Sequence, residues 1–181
     1  MDQRNEILNS LDSLEVLRHQ LEHRLDKVED AKLYIPQEEG KWSIIQVLSH
    51  LVYIEKGIVQ YINKKMLGRA SLKKKNIIAS LRFRLLKRLL DSSARFKMPK
   101  ILGEPSNEKT IEELKGEFVQ SRIVLKKLVL DFPEEEFDKL IFKHPFAGRF
   151  SMQQTIDFIY DHYNHHIRQI ERILKVVDKG N

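Results

Sequence analysis

Apolar residues in the first part of the chain repeat at intervals of three and four positions. The repeating residues are Ile7, Leu11, Leu14, Leu17, Leu21, Leu25 and Val28. This spacing brings them to one face of an α-helix and leaves polar residues on the opposite face. The pattern therefore predicts a first amphipathic helix over about residues 3 to 29.

Three later segments each open with a capping box and continue with the same helical period. The pairs are Ser43 with Gln46, Thr110 with Glu113, and Ser151 with Gln154. In such a box the Ser or Thr hydroxyl accepts a hydrogen bond from the backbone N–H three residues later. The Glu or Gln side chain at that later position accepts one from the backbone N–H of the Ser or Thr. The second helix fades near Lys64, the third stops at Asp131-Phe-Pro133, and the fourth is C-terminal. Four long helices predict an all-α four-helix bundle, with residues 1–181 as a single domain.

The segment between the second and third helices is strongly basic. From Lys64 to Lys100 it has thirteen Lys and Arg residues and one acid, Asp91. Apolar residues recur among these bases with helical period, namely Ile77, Ile78, Leu81, Leu85 and Leu89. We therefore predict a short helical, basic insert at about 69–100, amphipathic, that covers part of the bundle or another surface.

Such a charge excess attracts nucleic acid or an anionic membrane, with Lys73, Lys74 and Lys75 as the densest run. A solvated basic face is the commoner outcome, and the insert has no basic-aromatic motif of a known RNA or DNA module. Binding of nucleic acid or membrane is therefore not the favoured interpretation.

Composition narrows the class of protein. Hydrophobic residues make up 41% and charged residues 32% of the 181 residues, with only seven glycines and five prolines, which favours helices. The absence of cysteine excludes disulfides, thiolate metal sites and a thiol nucleophile from the chain itself. No basic region followed by an apolar run opens the sequence, and no stretch reaches the ~18 apolar residues of a membrane span. We expect a soluble cytoplasmic protein.

Two histidines of the fourth helix fall on its apolar stripe. His162 and His166 are one turn apart, and Ile159 and Ile170 lie above and below them. A buried imidazole needs partners for both nitrogens, and each missing partner costs roughly 1–3 kcal/mol. This spacing places both imidazoles on one side of the helix, where they can bind the same divalent metal ion. His165 falls at the edge of the stripe and is a weaker candidate.

A third histidine lies on the second helix, about two turns past its cap, whereas His162 and His166 lie about three and four turns past theirs. His50 follows Ser43 by seven residues, and Gly57 leaves room beside it. We therefore predict a site between the second and fourth helices, where three imidazoles leave coordination positions open. The alternative is that these histidines make ordinary hydrogen bonds within the packing.

No general base can be assigned from the sequence. Tyr163 follows His162 where the metalloprotease pattern has glutamate, so protease chemistry by that route is unsupported. Glu55 lies well around the second helix from His50, and Asp161 is expected to be a solvated helix residue. The catalytic residues therefore stay unassigned.

Two segments that contain these histidines have the pattern of a known family. The first is Trp42-Ser-Ile-Ile-Gln-Val-Leu-Ser-His50-Leu. The second runs from His144-Pro-Phe-Ala-Gly-Arg-Phe-Ser-Met-Gln-Gln to Asp161-His-Tyr-Asn-His-His-Ile-Arg-Gln-Ile170. Both resemble the DinB-like family of four-helix metalloproteins, a superfamily that includes bacillithiol S-transferases. The resemblance implies that His50, His162 and His166 are metal ligands, with His165 beside the site. The basic insert has no counterpart in the family pattern.

Two functional hypotheses follow. In the first, the protein is an enzyme that uses a zinc, nickel, manganese or ferrous ion for thiol S-transfer or hydrolysis of a small-molecule substrate. Because the chain has no cysteine, the thiol would be external and of low molecular weight, such as bacillithiol. In the second, the protein is a non-catalytic stress-response or binding module that uses the insert, with metal structural or absent. We also expect a homodimer, whose interface the insert would complete.

Overall fold

The computed structural model describes residues 2–92 and 103–177, which form six α-helices and one β-hairpin. The helices are α1 (Gln3–Leu25), α2 (Asp30–Leu33), α3 (Ile44–Met66), α4 (Ile77–Asp91), α5 (Ile111–Asp131) and α6 (Met152–Val177). The strands are β1 (Phe142–His144) and β2 (Gly148–Phe150). Short 3-10 turns lie at Arg69–Ser71 and Glu134–Glu136.

The four long helices α1, α3, α5 and α6 form the predicted four-helix bundle. Both α1 and α3 pack against α5 and α6, so the order around the bundle is α1, α5, α3, α6. Their inward faces are mainly aliphatic, with Ile7, Leu14, Ile62, Leu114 and Ile170 fully buried. None of the helices in the described part of the chain combines the length and apolar character needed to cross a bilayer.

All three predicted capping boxes are present. In the first, the Gln46 N–H donates to Ser43 Oγ over 3.1 Å, and the Ser43 N–H donates to Gln46 Oε1 over 3.0 Å. The boxes at the starts of α5 and α6 make the same reciprocal bonds. The first helix ends at Leu25 rather than near residue 29, because the chain turns at Asp26 and enters α2 at Asp30.

The described part of the basic insert contains α4, which packs on α6 and on the hairpin. Its buried residues are Ala79, Phe83 and Leu90. The apolar residues from which the helix was predicted are instead exposed, so the packed face is not the expected one. Residues 93–100 of the predicted insert lie outside the described residues.

The hairpin was not predicted from the sequence. Its antiparallel strands pair Phe142 with Phe150 and His144 with Gly148. Gly148 has φ +86°, a conformation that other residues rarely adopt, and it ends the turn between the strands. The Phe150 ring lies 5.1 Å from the Phe83 ring of α4, so the hairpin connects the insert to the end of α6 that leads to the histidines.

Candidate metal centre

The structure brings His50 of α3 together with His162 and His166 of α6. One ring nitrogen from each imidazole lies within 4.8 Å of those of the other two. The ring centroids are 4.6 Å apart for His162 and His166, 4.9 Å for His50 and His166, and 5.3 Å for His50 and His162. The capping serines fix where α3 and α6 begin and so which way the later residues face. His50 follows Ser43 by seven residues, and His162 and His166 follow Ser151 by eleven and fifteen.

Two ring nitrogens of the cluster point at each other. The Nε2 atoms of His162 and His166 are 3.2 Å apart. His166 Nδ1 lies 2.8 Å from Gln169 Oε1, and because an amide oxygen only accepts, Nδ1 carries the hydrogen. In the neutral ring, His166 Nε2 then presents a lone pair to His162. Two lone pairs cannot face each other at this distance, so a proton or a cation must lie between the nitrogens.

Burial keeps the three imidazoles neutral near pH 7. It lowers the pKa of His50 to about 4. Burial and the nearby His50 lower the pKa of His166 to about 3. Burial and the neighbouring imidazoles hold the pKa of His162 well below its usual 6.5. Metal ions bind imidazole only in its neutral form, so these shifts favour coordination.

Aromatic rings form the walls around the cluster. The Trp42 ring centroid is 5.1 Å from that of His50, and the Phe158 centroid is 5.3 Å from that of His162. His50 and His166 are buried, whereas His162 is partly exposed. His162 is therefore the member of the cluster that is most open to solvent or a small ligand.

His165 lies beside the cluster but serves another contact. Its ring centroid is 5.3 Å from that of His166, and its Nδ1 donates to the Leu90 carbonyl over 3.0 Å. Arg168 Nη2 donates to the same carbonyl over 2.6 Å. His165 and Arg168 thus hold the end of α4 against α6, and His165 is not part of the three-histidine group.

His144 is a nearby histidine that sequence reasoning did not assign. Its Nδ1 accepts from the backbone N–H groups of Phe146 and Ala147, over 3.2 and 3.1 Å. Its ring lies 4.8 Å from the Phe158 ring, and burial lowers its pKa to about 4. His144 therefore stabilises the turn of the hairpin. The Pro-Phe-Ala-Gly run that follows it was the available signal for a turn.

The two carboxylates considered as bases are occupied by ion pairs. Glu55 Oε1 accepts from Arg122 Nε over 2.7 Å, and Asp161 Oδ1 accepts from Lys87 Nζ over 2.7 Å. Asp161 is only 4% exposed, so the expectation that it is solvated was wrong. Burial raises the pKa of both carboxyls, against the effect of their cationic partners. Within residues 2–92 and 103–177, no carboxylate forms an ion pair with the three imidazoles of the cluster.

Fold and site together define a four-helix bundle with a largely buried three-histidine cluster suited to a divalent metal ion. The family model of the DinB superfamily matches residues 13–170, and the chain therefore belongs to that superfamily. This confirms the resemblance drawn from the two histidine segments.

Individual relatives agree with this assignment. The uncharacterized protein YuaE of Bacillus subtilis (strain 168) is 24% identical over 158 residues, which cover 87% of this chain and 93% of YuaE. The four-helix bundle protein TT2238 superposes with a TM-score of 0.56 at 20% identity, over 94% of this chain and 99% of its own. YfiT from Bacillus subtilis superposes with a TM-score of 0.53 at 17% identity, over 97% of this chain and 87% of YfiT. YfiT is described as a probable metal-dependent hydrolase with an unusual four-helix bundle topology. At these identities the two solved structures show the shared fold.

Proposed function

We propose that this protein is a divalent-metal-dependent enzyme that joins an external thiol, through its sulfur, to a small electrophilic substrate. His50, His162 and His166 would hold the ion. The observation that carries the proposal is the 3.2 Å approach of two imidazole nitrogens, with a third imidazole beside them. Membership of the DinB superfamily and the fold shared with YfiT, itself described as a probable metal-dependent hydrolase, support a metal-dependent function.

The residues present fit such an ion. Three neutral imidazoles suit zinc, nickel, manganese or ferrous iron, and they leave positions for an exogenous ligand. Gln169 fixes the His166 tautomer so that Nε2 faces the cluster, as partners of metal-bound histidines do. An ion held by His162 and His166 would take the place of the hydrogen that otherwise lies between their Nε2 atoms.

A divalent ion supplies Lewis acidity, which lowers the pKa of a thiol or water molecule that reaches it. The chain supplies the ligands and the aromatic walls formed by Trp42 and Phe158. It supplies neither a cysteine nor, in its described part, a carboxylate paired with the cluster. A thiol nucleophile must therefore be external, and among the described residues no carboxylate paired with the cluster is available to take its proton.

This requirement favours a thiol over water. A thiol has an unperturbed pKa near 8.5 and deprotonates far more readily than water. In the transfer, the thiol sulfur forms a bond to an electrophilic carbon and the leaving group departs with its bonding electron pair. The thiol proton passes to solvent. Hydrolysis by the same site is the alternative reaction, in which water replaces the thiol.

The test compares both reactions in tag-free protein reconstituted separately with zinc, nickel, manganese and ferrous iron. Thiol transfer is followed with bacillithiol and an electrophilic chlorinated dye, and hydrolysis is followed with a chromogenic ester. His162→Ala should reduce thiol transfer to the rate of metal-free protein. His23→Ala changes an exposed histidine on α1 and should leave the rate unchanged.

The proposal fails if thiol transfer by the loaded protein equals that of the metal-free protein with every ion. Ester hydrolysis that needs both metal and His162, without thiol transfer, would instead establish the hydrolase alternative.

A further inference from the structure

The insert helix α4 presents an apolar stripe to solvent. We define the outer stripe as Ile77, Ile78, Leu81, Leu85 and Leu89, whose exposed fractions are 86%, 61%, 65%, 59% and 40%. A helix on the surface of a bundle normally buries its apolar face and exposes its polar face. Here the opposite face is buried as well, so α4 is apolar on both sides.

The opposite side of α4 is fixed to the bundle, which leaves the outer stripe facing solvent. Ala79, Phe83 and Leu90 anchor the back of the helix, Lys87 pairs with Asp161, and Leu90 accepts hydrogen bonds from α6. The stripe thus lies on the outer side of a helix whose back is fixed to the bundle. Contiguous exposed aliphatic side chains of this kind mark a surface that meets another apolar phase or partner.

Arginines border the outer stripe on both sides. With 3.6 residues per turn, Arg84 and Arg88 lie along one edge and Arg82 along the other. All three are exposed, and none forms an ion pair with a carboxylate of the described residues. Asp91, the last residue of α4, is the helix's one acid. The surface therefore combines exposed aliphatic groups with unneutralised positive charge.

We propose that the outer stripe docks α4 on an anionic lipid surface. An amphipathic helix lying in the headgroup region inserts its aliphatic side chains into the acyl boundary, while arginines at its edges reach the lipid phosphates. A bilayer interface is deformable and can adapt to the exposed side of a helix whose back is already packed. This membrane contact is independent of the function proposed for the histidine cluster.

Other occupants match the surface less well. Two-fold pairing of outer stripes would bring the arginines of both copies together, with only Asp91 of each α4 as an acid to offset them. Nucleic acid would cover the arginines but leave five aliphatic side chains without an apolar partner, and the stripe has no aromatic ring on which bases stack. Anionic lipid satisfies both features at once.

The experiment is co-sedimentation of the full-length protein with two sets of vesicles, one of pure phosphatidylcholine and one with about a third phosphatidylglycerol. Binding should require phosphatidylglycerol and weaken as salt is raised. Leu81→Gln/Leu85→Gln should lower the partition coefficient at least about tenfold, because two side chains that enter the acyl boundary are lost. Arg84→Gln/Arg88→Gln should lower it about 30-fold, since each arginine contributes about a fivefold preference for the anionic surface.

Matched controls use exposed positions away from α4. Val16→Gln/Ile123→Gln removes two apolar side chains that are 55% and 57% exposed, on α1 and α5. Lys126→Gln/Lys127→Gln removes two exposed charges of α5. Both should bind vesicles as the wild type does. All the substituted side chains are exposed, so circular dichroism and urea midpoints should match the wild type and exclude misfolding.

The proposal is overturned if the wild type does not bind anionic vesicles, or if the α4 variants bind as tightly as the controls. A dimer in sedimentation equilibrium that Leu81→Gln/Leu85→Gln dissociates, without vesicle binding, would assign the outer stripe to a second copy. Binding to duplex DNA that only the arginine pair abolishes, again without vesicle binding, would assign the surface to nucleic acid.

Discussion

Acid should destabilise the metal-free protein through its buried histidines. Burial lowers the pKa of His50 from 6.5 to about 4, and burial beside His50 lowers that of His166 from 6.5 to about 3. Below pH 6.5 the unfolded chain takes up protons at these positions, whereas the folded chain does not until about pH 4 or 3. The stability is therefore present above pH 6.5 and is lost as the pH falls toward the folded-state values.

The size of the loss follows from the gap between the unfolded pKa and the chosen pH. At about pH 5 each of the two imidazoles costs about 2 kcal/mol of unfolding free energy, because the folded state excludes a proton that the unfolded state binds. The pair then costs about 4 kcal/mol, a large part of the 5–15 kcal/mol by which domains are usually stable.

Urea unfolding in the presence of a chelator, at about pH 7.5 and about pH 5, measures this loss. In His50→Gln the decrease in unfolding free energy between the two pH values should be smaller than in the wild type by about 2 kcal/mol. Titrating groups away from the cluster are common to both proteins and cancel, whereas the pKa of His166 is no longer lowered by His50 and this adds to the reduction. His23→Gln, at an exposed histidine, is the control and should retain the wild-type difference. An equal difference in His50→Gln and wild type would refute the argument.

Three further predictions concern residues that support the site. Gln169→Leu should weaken metal binding about 10- to 100-fold in a chelator competition titration, because His166 loses the partner that fixes its tautomer. Arg122→Met should cost about 3–5 kcal/mol in urea unfolding by leaving the Glu55 carboxylate buried without its partner, and adding Glu55→Leu should restore most of that loss. Ser43→Ala should cost about 1 kcal/mol in the same assay, since the helix that carries His50 loses its cap. A Gln169→Leu variant with wild-type affinity, a double variant no more stable than Arg122→Met, or an unchanged Ser43→Ala midpoint would contradict the respective prediction.

The helices of the bundle and the approach of the histidines could be predicted because the signals are local. A capping box fixes where a helix starts, and the period of 3.6 residues then fixes which side each later residue faces. Counting from Ser43 and Ser151 placed His50 and His162 on the lines that run down from the two cap serines, about two and three turns into their helices. The structure confirms these helix starts and brings the two side chains together with His166.

The remaining features depend on tertiary contacts. The strands of the hairpin have only three residues each, too few for an alternation of buried and exposed residues to stand out in the sequence. In α4 both faces are apolar, so periodicity could not decide which one packs on the bundle. The burial of Asp161 depends on Lys87, 74 positions earlier in the chain, which no local pattern reveals.

The central claim is that His50, His162 and His166 hold one divalent ion, and metal content tests it most directly. Tag-free protein should be exposed in turn to zinc, nickel, manganese and ferrous ions, dialysed, and analysed by plasma mass spectrometry. The account predicts about one tightly held ion per chain in the wild type and in His23→Ala, and loss of that ion in His50→Ala. Wild-type protein that retains none of these ions, or His50→Ala that retains as much as the wild type, would contradict it.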